Sequence, residues 1–244
     1  MREPGDCGIH LPMNPSVSIV LPAYNEEVLI GPMLDHVTGV MATNGFDYEI
    51  LVVDDGSTDR TAAIVQNQAA QNSRIQLIRH EQNRGSGAAM LTGFAAAQKE
   101  LVFLTDADMQ FDVEEIRSLL AVMDRADIAA GYRYPRRDPF VRSLYAQGWH
   151  MLITLFFGKS ARDINCAFKL LRKAVIDALK NDIRSQGAMF SAEFLIRARR
   201  AGFAIVNVPV RGHRPRTAGK ATGAHPAVIA KSMVELVRLL RDIH

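Results

Sequence analysis

The chain has 244 residues, 48% of them hydrophobic, and Lys plus Arg outnumber Asp plus Glu by 29 to 26, a net charge of +3 with a pI near 9.0. That length and apolar content suit one large α/β domain, and so mild a basic excess, with one short basic run containing aromatics (YRYPRRDPFVR), gives no sign of a nucleic-acid partner. Cys7 and Cys166, the only two cysteines, have no metal-type spacing, which argues against a zinc site and a disulfide framework and fits a reducing cytosol.

The first fifteen residues, MREPGDCGIHLPMNP, lack the apolar core of a signal peptide and read as a disordered lead-in. Apolar runs then alternate with helical ones. VSIVLP (17–22), YEILVV (48–53), IQLIR (75–79) and LVFLT (101–105) have the composition of strands covered on both faces. Between them, TAAIVQNQAAQ and GAAMLTGFAAAQ have helical spacing, as does VEEIRSLLAVM after the fourth run. This order predicts a mostly parallel sheet with right-handed crossovers, in which ligands bind beyond the carboxyl ends of the strands. Three strand ends carry polar sequence there: PAYNEE, DDGSTD and TDADMQ.

The second half is less regular. DIAAGYR (127–133) reads as a strand, AMFSAEFLIRARRAG as a helix closed by Gly202, and FAIVNVPV as a further strand. In the tail from His225, helical spacing puts Ile229, Met233, Leu236, Val237 and Leu240 on one face, with Lys231, Arg238 and Arg241 away from it. Such a helix either packs on the core or lies on anionic lipid. The longest apolar patch, WHMLITLFFG, is about half the ~20 residues needed to span a bilayer.

Charge is unevenly distributed. Asp106 and Asp108 sit where a buried strand should end, and side chains alternate along an extended chain, so both carboxylates are expected on one side with Gln110 one step further on. All-oxygen ligation of that kind suits Mg2+ or Mn2+ bridging substrate phosphates. Asp112, Glu114 and Glu115 are better explained as favouring a helix N-terminus through its dipole. In VVDDGSTDRT, Thr58 or Asp59 suffices as a helix cap, which leaves Asp54 and Asp55 at the strand tip for function. NRGSGAAMLTG lacks the third glycine of a dinucleotide loop, where Met90 stands, and lacks Gly-Lys-Ser/Thr. Its glycines read as a tight turn with close helix packing. Bases gather instead at Arg133, Arg136, Arg137 and Arg142, and again from Arg211 to Lys220.

In order and separation, VSIVLPAYNEE, EILVVDDGSTDRT, NRGSGAAMLTG and LTDADMQFDVEEI resemble the inverting family 2 glycosyltransferases of GT-A fold, an α/β Rossmann-like, mostly parallel sheet flanked by helices in a single domain. The later GYR, DINCAFKLLRKAV, SAEFLIRARRAGFAIVNVPV and RTAGKA resemble the branch that makes polyprenyl-phosphate sugars, such as dolichyl-phosphate mannose synthases. The resemblance covers roughly residues 16–222, which would be the catalytic domain, with 223–244 as a C-terminal amphipathic helix. It implies that Pro22, Tyr24, Glu26 and Asp55 hold the nucleotide's base and ribose, and that Asp106, Asp108 and Gln110 form the metal and diphosphate site. Arg133 and Arg142 would grip the acceptor phosphate, Asp163 would stand near the reacting centre, and Arg216 and Lys220 would close over the donor phosphates. Arg136, Arg137 and Arg211 read as solvated charges. The chain departs from the branch at Ala146, His150, Lys169, Ala221 and Thr222, which bears on the acceptor and the sugar.

The implied reaction is metal-dependent transfer of a sugar, with inversion, from a nucleotide diphosphate sugar to a polyprenyl phosphate. Such an enzyme would be cytoplasmic and peripheral at the cytoplasmic face of the membrane, reached through a surface helix such as SLYAQGWHMLITLFF or a small integral membrane partner. The alternatives are transfer to a soluble hydroxyl acceptor and a non-catalytic nucleotide-sugar-binding membrane partner.

Overall fold

The computed structural model describes residues 15–135, 140–158, 161–214 and 226–243. Its centre is a seven-stranded sheet: β1 (Ser16–Ala23), β2 (Asp47–Asp54), β3 (Ile75–Arg79), β4 (Leu101–Leu104), β5 (Ile128–Arg133), β6 (Lys169–Arg172) and β7 (Ile205–Val210), in the order β3-β2-β1-β4-β6-β5-β7. Strands β1 to β4 run parallel to one another and β5 runs parallel to β7, while β6 is antiparallel to both its neighbours. Helices α1 (Ile30–Thr43), α2 (Thr61–Gln71), α3 (Ser86–Ala96), α4 (Ile116–Leu120), α5 (Phe140–Phe157), α6 (Lys173–Leu179), α7 (Phe190–Arg200) and α8 (Pro226–Ile243) account for the rest of the regular structure.

Strand alternation divides the core in two. Val17, Ile19, Leu21, Ile50, Val52, Phe103 and Leu170 pack with Met33, Leu34 and Val37 of α1 on one face. Val20, Leu51, Val102, Leu104, Ala130 and Leu171 pack with α3, α6, α7 and α8 on the other. Successive strand residues point to opposite faces, so a strand buried on both sides must be largely apolar, as β1, β2 and β4 are; β3, expected to be covered on both faces, is an edge strand with Gln76 and Arg79 exposed. Aromatic pairs fix each layer: Phe103 meets Phe168 edge-on at 4.8 Å, and Phe94 lies 5.6 Å from Phe194.

Strand β6 is absent from the sequence expectation. The helix expected at VEEIRSLLAVM is shorter than its pattern, a single 3-10 turn (Val113–Glu115) followed by the five residues of α4. On α8 the buried face is rotated from the expected one: Leu236 and Leu239 are buried with Ser232 and Glu235, whereas Met233 and Val237 are exposed. At one of these buried polar positions, Glu235 Oε1 accepts the N–H of Gln186 at 3.4 Å. Helix α5 buries Ile153 yet leaves Met151 72% and Leu155 77% exposed. No helix among the described residues is long and apolar enough to cross a membrane.

Candidate functional site

The sheet's carboxyl edge gathers the polar turns. Ala23 pairs with Asp54 in register and Val20 with Leu104, so the segments after β1, β2 and β4 emerge side by side. The first two are tied together. Asn25 N donates to Ser57 Oγ at 2.9 Å, Glu26 N to Thr61 Oγ1 at 2.8 Å, and Thr58 N to Asn25 Oδ1 at 2.9 Å. Asn25 adopts a left-handed backbone, φ 55°, which an Asn tolerates better than most residues. Tyr24 is exposed beside this lattice, and Pro22 and Glu26 are partly buried in it.

Asp55 is buried at the tip of β2, and its carboxylate is committed to the next loop. It accepts Arg84 N at 2.9 Å and Gly85 N at 2.8 Å, and lies 2.7 Å from His80 Nδ1. His80 Nε2 in turn lies 3.0 Å from Thr92 Oγ1. A carboxylate offers only acceptors, so His80 donates its Nδ1–H to Asp55. Asp54, beside it, accepts Ser57 N at 2.9 Å and pairs with Arg79, whose Nε is 3.1 Å from Oδ2. The glycine loop serves close packing, as its sequence suggested: Gly85 has φ 103°, and a Cβ there would stand 2.6 Å from Gln186 O.

The segment after β4 differs from the expected extended chain. The strand ends at Leu104, and Met109 reverses the backbone with φ 59°. Asp108 Oδ1 then accepts Gln110 N at 3.1 Å. Asp106 and Gln110 are partly buried and Asp108 is buried, so the carboxylates are arranged by a turn rather than by strand alternation. Non-glycine residues with positive φ cost strain and concentrate at functional sites. Gln110 Nε2 donates to Arg214 O at 3.1 Å, which commits that arm of its amide and leaves Oε1 as the ligand-type atom. Among the described residues no three His, Cys, Asp or Glu side chains form a metal-type cluster. Two carboxylates and an amide oxygen nevertheless compose a hard, all-oxygen donor set that fits Mg2+ or Mn2+. Asp112 accepts Glu114 N at 3.1 Å, a cap at the helix start where the sequence suggested a favourable charge.

Across β6 lies the cationic half. Arg133, the last residue of β5, donates from Nε to Asp163 Oδ2 at 2.8 Å and from Nη2 to Oδ1 at 3.1 Å. Their side chains are only 9% and 11% exposed. Two residues with separate expected roles are therefore partners, and Arg133 spends its fork on Asp163. Lys169, opposite Leu104 on one side and Ala130 on the other, donates its ammonium to Ile164 O at 3.2 Å and to Cys166 O. Burial pushes the Lys169 pKa below 10.5, opposed by the negative charges of Asp163 and Asp106. That coupling places Asp106 and the Arg133–Asp163 pair within electrostatic range of one ammonium. The Cys166 thiol is pushed up to about 12 by burial, which keeps it protonated and unreactive. Arg136, Arg137, Arg216, Lys220, Ala221 and Thr222 lie outside the described residues, as do the side chains of Arg142, Ala146 and His150.

The sequence does not single out His80 or Thr92, and it marks Lys169 only as a departure from the branch. His80 carries a signal of its own, a titratable ring one position past a strand on the ligand-binding edge.

Residues 18–180 match the family model described as glycosyl transferase family 2. Over 211 residues, 79% of its length, the chain is 32% identical to the dolichyl-phosphate beta-glucosyltransferase ALG5C of Trichomonas vaginalis, and it spans 62% of that relative. Among solved structures it resembles glucosyl-3-phosphoglycerate synthase from Mycobacterium tuberculosis. The complex with phosphoglyceric acid superposes with a TM-score of 0.69 at 21% identity, over 93% of this chain and 80% of that one. The complex with Mn2+ and uridine-diphosphate-glucose gives 0.66 at 22% identity, over 93% and 78%. These likenesses agree on the GT-A architecture.

Proposed function

The chain belongs to glycosyl transferase family 2, and on that premise we propose that it transfers a sugar from a nucleotide diphosphate sugar to a polyprenyl phosphate, with inversion and with a divalent cation. Residues 16–222 are the catalytic domain in this reading, and 223–244 a helical appendage. The observation that carries it is the juxtaposition at one sheet edge of the Asp106-Ala-Asp108-Met-Gln110 turn with the buried Arg133–Asp163 pair. The first is a cation-holding group. The second borders the place where an anionic acceptor would sit.

Each group has a task. Tyr24, Glu26, Pro22 and Asp55 form the floor for the base and ribose, and Asp55 also anchors the loop at Arg84 and Gly85. Asp106, Asp108 and Gln110 would hold Mg2+ or Mn2+, which when bound neutralises charge developing on the leaving diphosphate. Arg216 and Lys220 would add positive charge there. Arg142 would grip the acceptor phosphate, with Arg133 lending positive charge beside it while held by Asp163. That phosphate is already anionic near neutral pH, so no strong general base is required. Asp163, with both oxygens held by Arg133, orients the guanidinium instead of collecting a proton.

The dolichyl-phosphate glucosyltransferase relative favours a lipid-phosphate acceptor and glucose. The Mn2+ and uridine-diphosphate-glucose bound by a structural neighbour favour a UDP donor and a metal. Exposed Met151 and Leu155 on α5 suit contact with a membrane surface, directly or through a small membrane partner, at the cytoplasmic face. A second reading, transfer to a soluble hydroxyl acceptor, is favoured by the neighbour that binds phosphoglyceric acid.

The test incubates the purified chain, Mn2+ or Mg2+ and a short polyprenyl phosphate with a panel of UDP- and GDP-sugars, and looks by mass spectrometry for a lipid-phosphate sugar. A product with UDP-glucose is expected, abolished in Asp108→Ala. Near-normal turnover in that variant would refute the assigned site.

A further inference from the structure

Glu115 stands seven positions past Asp108, at the end of the 3-10 turn that leads into α4. Its sequence position suggests nothing beyond a favourable charge at a helix start. In the structure its carboxylate is turned to another segment, accepting Arg211 N through both oxygens at 3.1 and 2.8 Å and Gly212 N as well. The approach is close enough to require glycine. A Cβ on Gly212 would stand 2.6 Å from Asp112 Cβ and 2.7 Å from Glu115 Oε1.

The segment so anchored leaves β7 at Val210 and reaches the turn after β4. There Arg214 N donates to Gln110 O at 2.8 Å, and Gln110 Nε2 donates back to Arg214 O at 3.1 Å. Between the two anchors, His213 is buried with its ring 5.2 Å from that of Phe111. Residues 211–214 are thus fastened at both ends to residues 110–115. A carbonyl oxygen can accept only from the Nε2 arm of the Gln110 amide, so the strap fixes which arm points away from it.

We propose that Glu115 is a positioning residue of the donor site. By anchoring Arg211 and Gly212 it holds Arg214 on Gln110, and so sets the orientation of the amide oxygen that joins Asp106 and Asp108 toward the cation. The inference rests on the reading of Asp106, Asp108 and Gln110 as that cation's ligands. Hydrogen bonds to a carboxylate are the stronger kind, and groups that orient metal ligands typically affect metal affinity 10- to 100-fold.

The full chain and its Glu115→Ala, Glu115→Gln, Gly212→Ala and Asp108→Ala variants would be titrated with Mn2+ in the presence of UDP, followed by electron paramagnetic resonance, with Tm recorded for each. Glu115→Ala and Gly212→Ala are expected to weaken Mn2+ binding about tenfold or more. Glu115→Gln keeps one acceptor oxygen and should recover part of the loss. A merely structural Glu115 would lower Tm and leave Mn2+ affinity within twofold of the parent chain, and that result overturns the proposal. If Asp108→Ala binds Mn2+ normally, the ligand assignment itself has failed. If it loses Mn2+ while the Glu115 and Gly212 variants do not, only the positioning role is refuted. Should Glu115→Ala fail to fold, Glu115→Gln decides on the same criterion: unchanged Mn2+ affinity overturns the proposal and a measurable loss upholds it.

Discussion

Removing either member of the Arg133–Asp163 pair should be far more costly than an ordinary ion-pair deletion. Surface salt bridges contribute ~0–1 kcal/mol because water and salt screen them. This pair is about nine-tenths buried and bidentate, with donor–acceptor distances of 2.8 and 3.1 Å. Removing one partner of such a buried pair costs about 3–5 kcal/mol. For a domain of this size that is a Tm decrease of roughly 6–20 °C at about 2–4 °C per kcal/mol. Asp163→Leu removes the carboxylate that the guanidinium forks onto and Arg133→Met removes the guanidinium from the carboxylate, whereas the double variant removes both buried charges and should recover much of the loss. The assay is a double-mutant cycle by urea denaturation and thermal melting. Single variants that each cost under about 1 kcal/mol, or that add within about 0.5 kcal/mol in the double, would refute the pairing as the energetic centre of this region.

Two further outcomes follow from the same packing. Lys169 has a folded pKa below its unfolded value of 10.5. Between those two values the unfolded chain binds more protons, so the Lys169 contribution to stability rises with pH. The stability difference between the native chain and Lys169→Met should therefore shift in favour of the native chain as pH climbs toward 10.5, measured by chemical denaturation across a pH series; a flat or falling difference contradicts the burial argument. Gly93 and Gly39 should respond oppositely to alanine. A Cβ on Gly93 would stand 2.4 Å from Val20 Cγ1, whereas one on Gly39 meets nothing within 4 Å. Gly39→Ala should gain about 0.5–1 kcal/mol in α1, and Gly93→Ala should lose about 1–3 kcal/mol to overpacking, both read from Tm.

The N-terminal half was legible because strands buried on both faces must be continuously apolar. Ile19, Ile50, Val52 and Phe103 announce themselves whatever the rest of the chain does. Strand β6 was not, since it opens on Lys169, whose charge suggests a surface while its ammonium is in fact satisfied by the carbonyls of Ile164 and Cys166. The Asp106, Asp108 and Gln110 group could be named from spacing. Its geometry could not, because the reversal at Met109 depends on a left-handed residue that composition does not mark. Long-range partners were equally hidden. Asn25 with Thr58, Arg133 with Asp163 and Glu115 with Arg211 are separated by 33, 30 and 96 positions. Each needs the fold before the contact can be seen. Glu115 was read as a helix-start charge for the same reason.

Which acceptor takes the sugar is decided by a competition assay. UDP-glucose, Mn2+ and the purified chain would be given equal concentrations of a short polyprenyl phosphate and 3-phosphoglycerate, and both products quantified by mass spectrometry over the initial rate. Glucose is expected to go predominantly to the lipid phosphate, with inverted configuration at the anomeric carbon. Preferential transfer to phosphoglycerate, or hydrolysis of the donor with neither acceptor glycosylated, would contradict it.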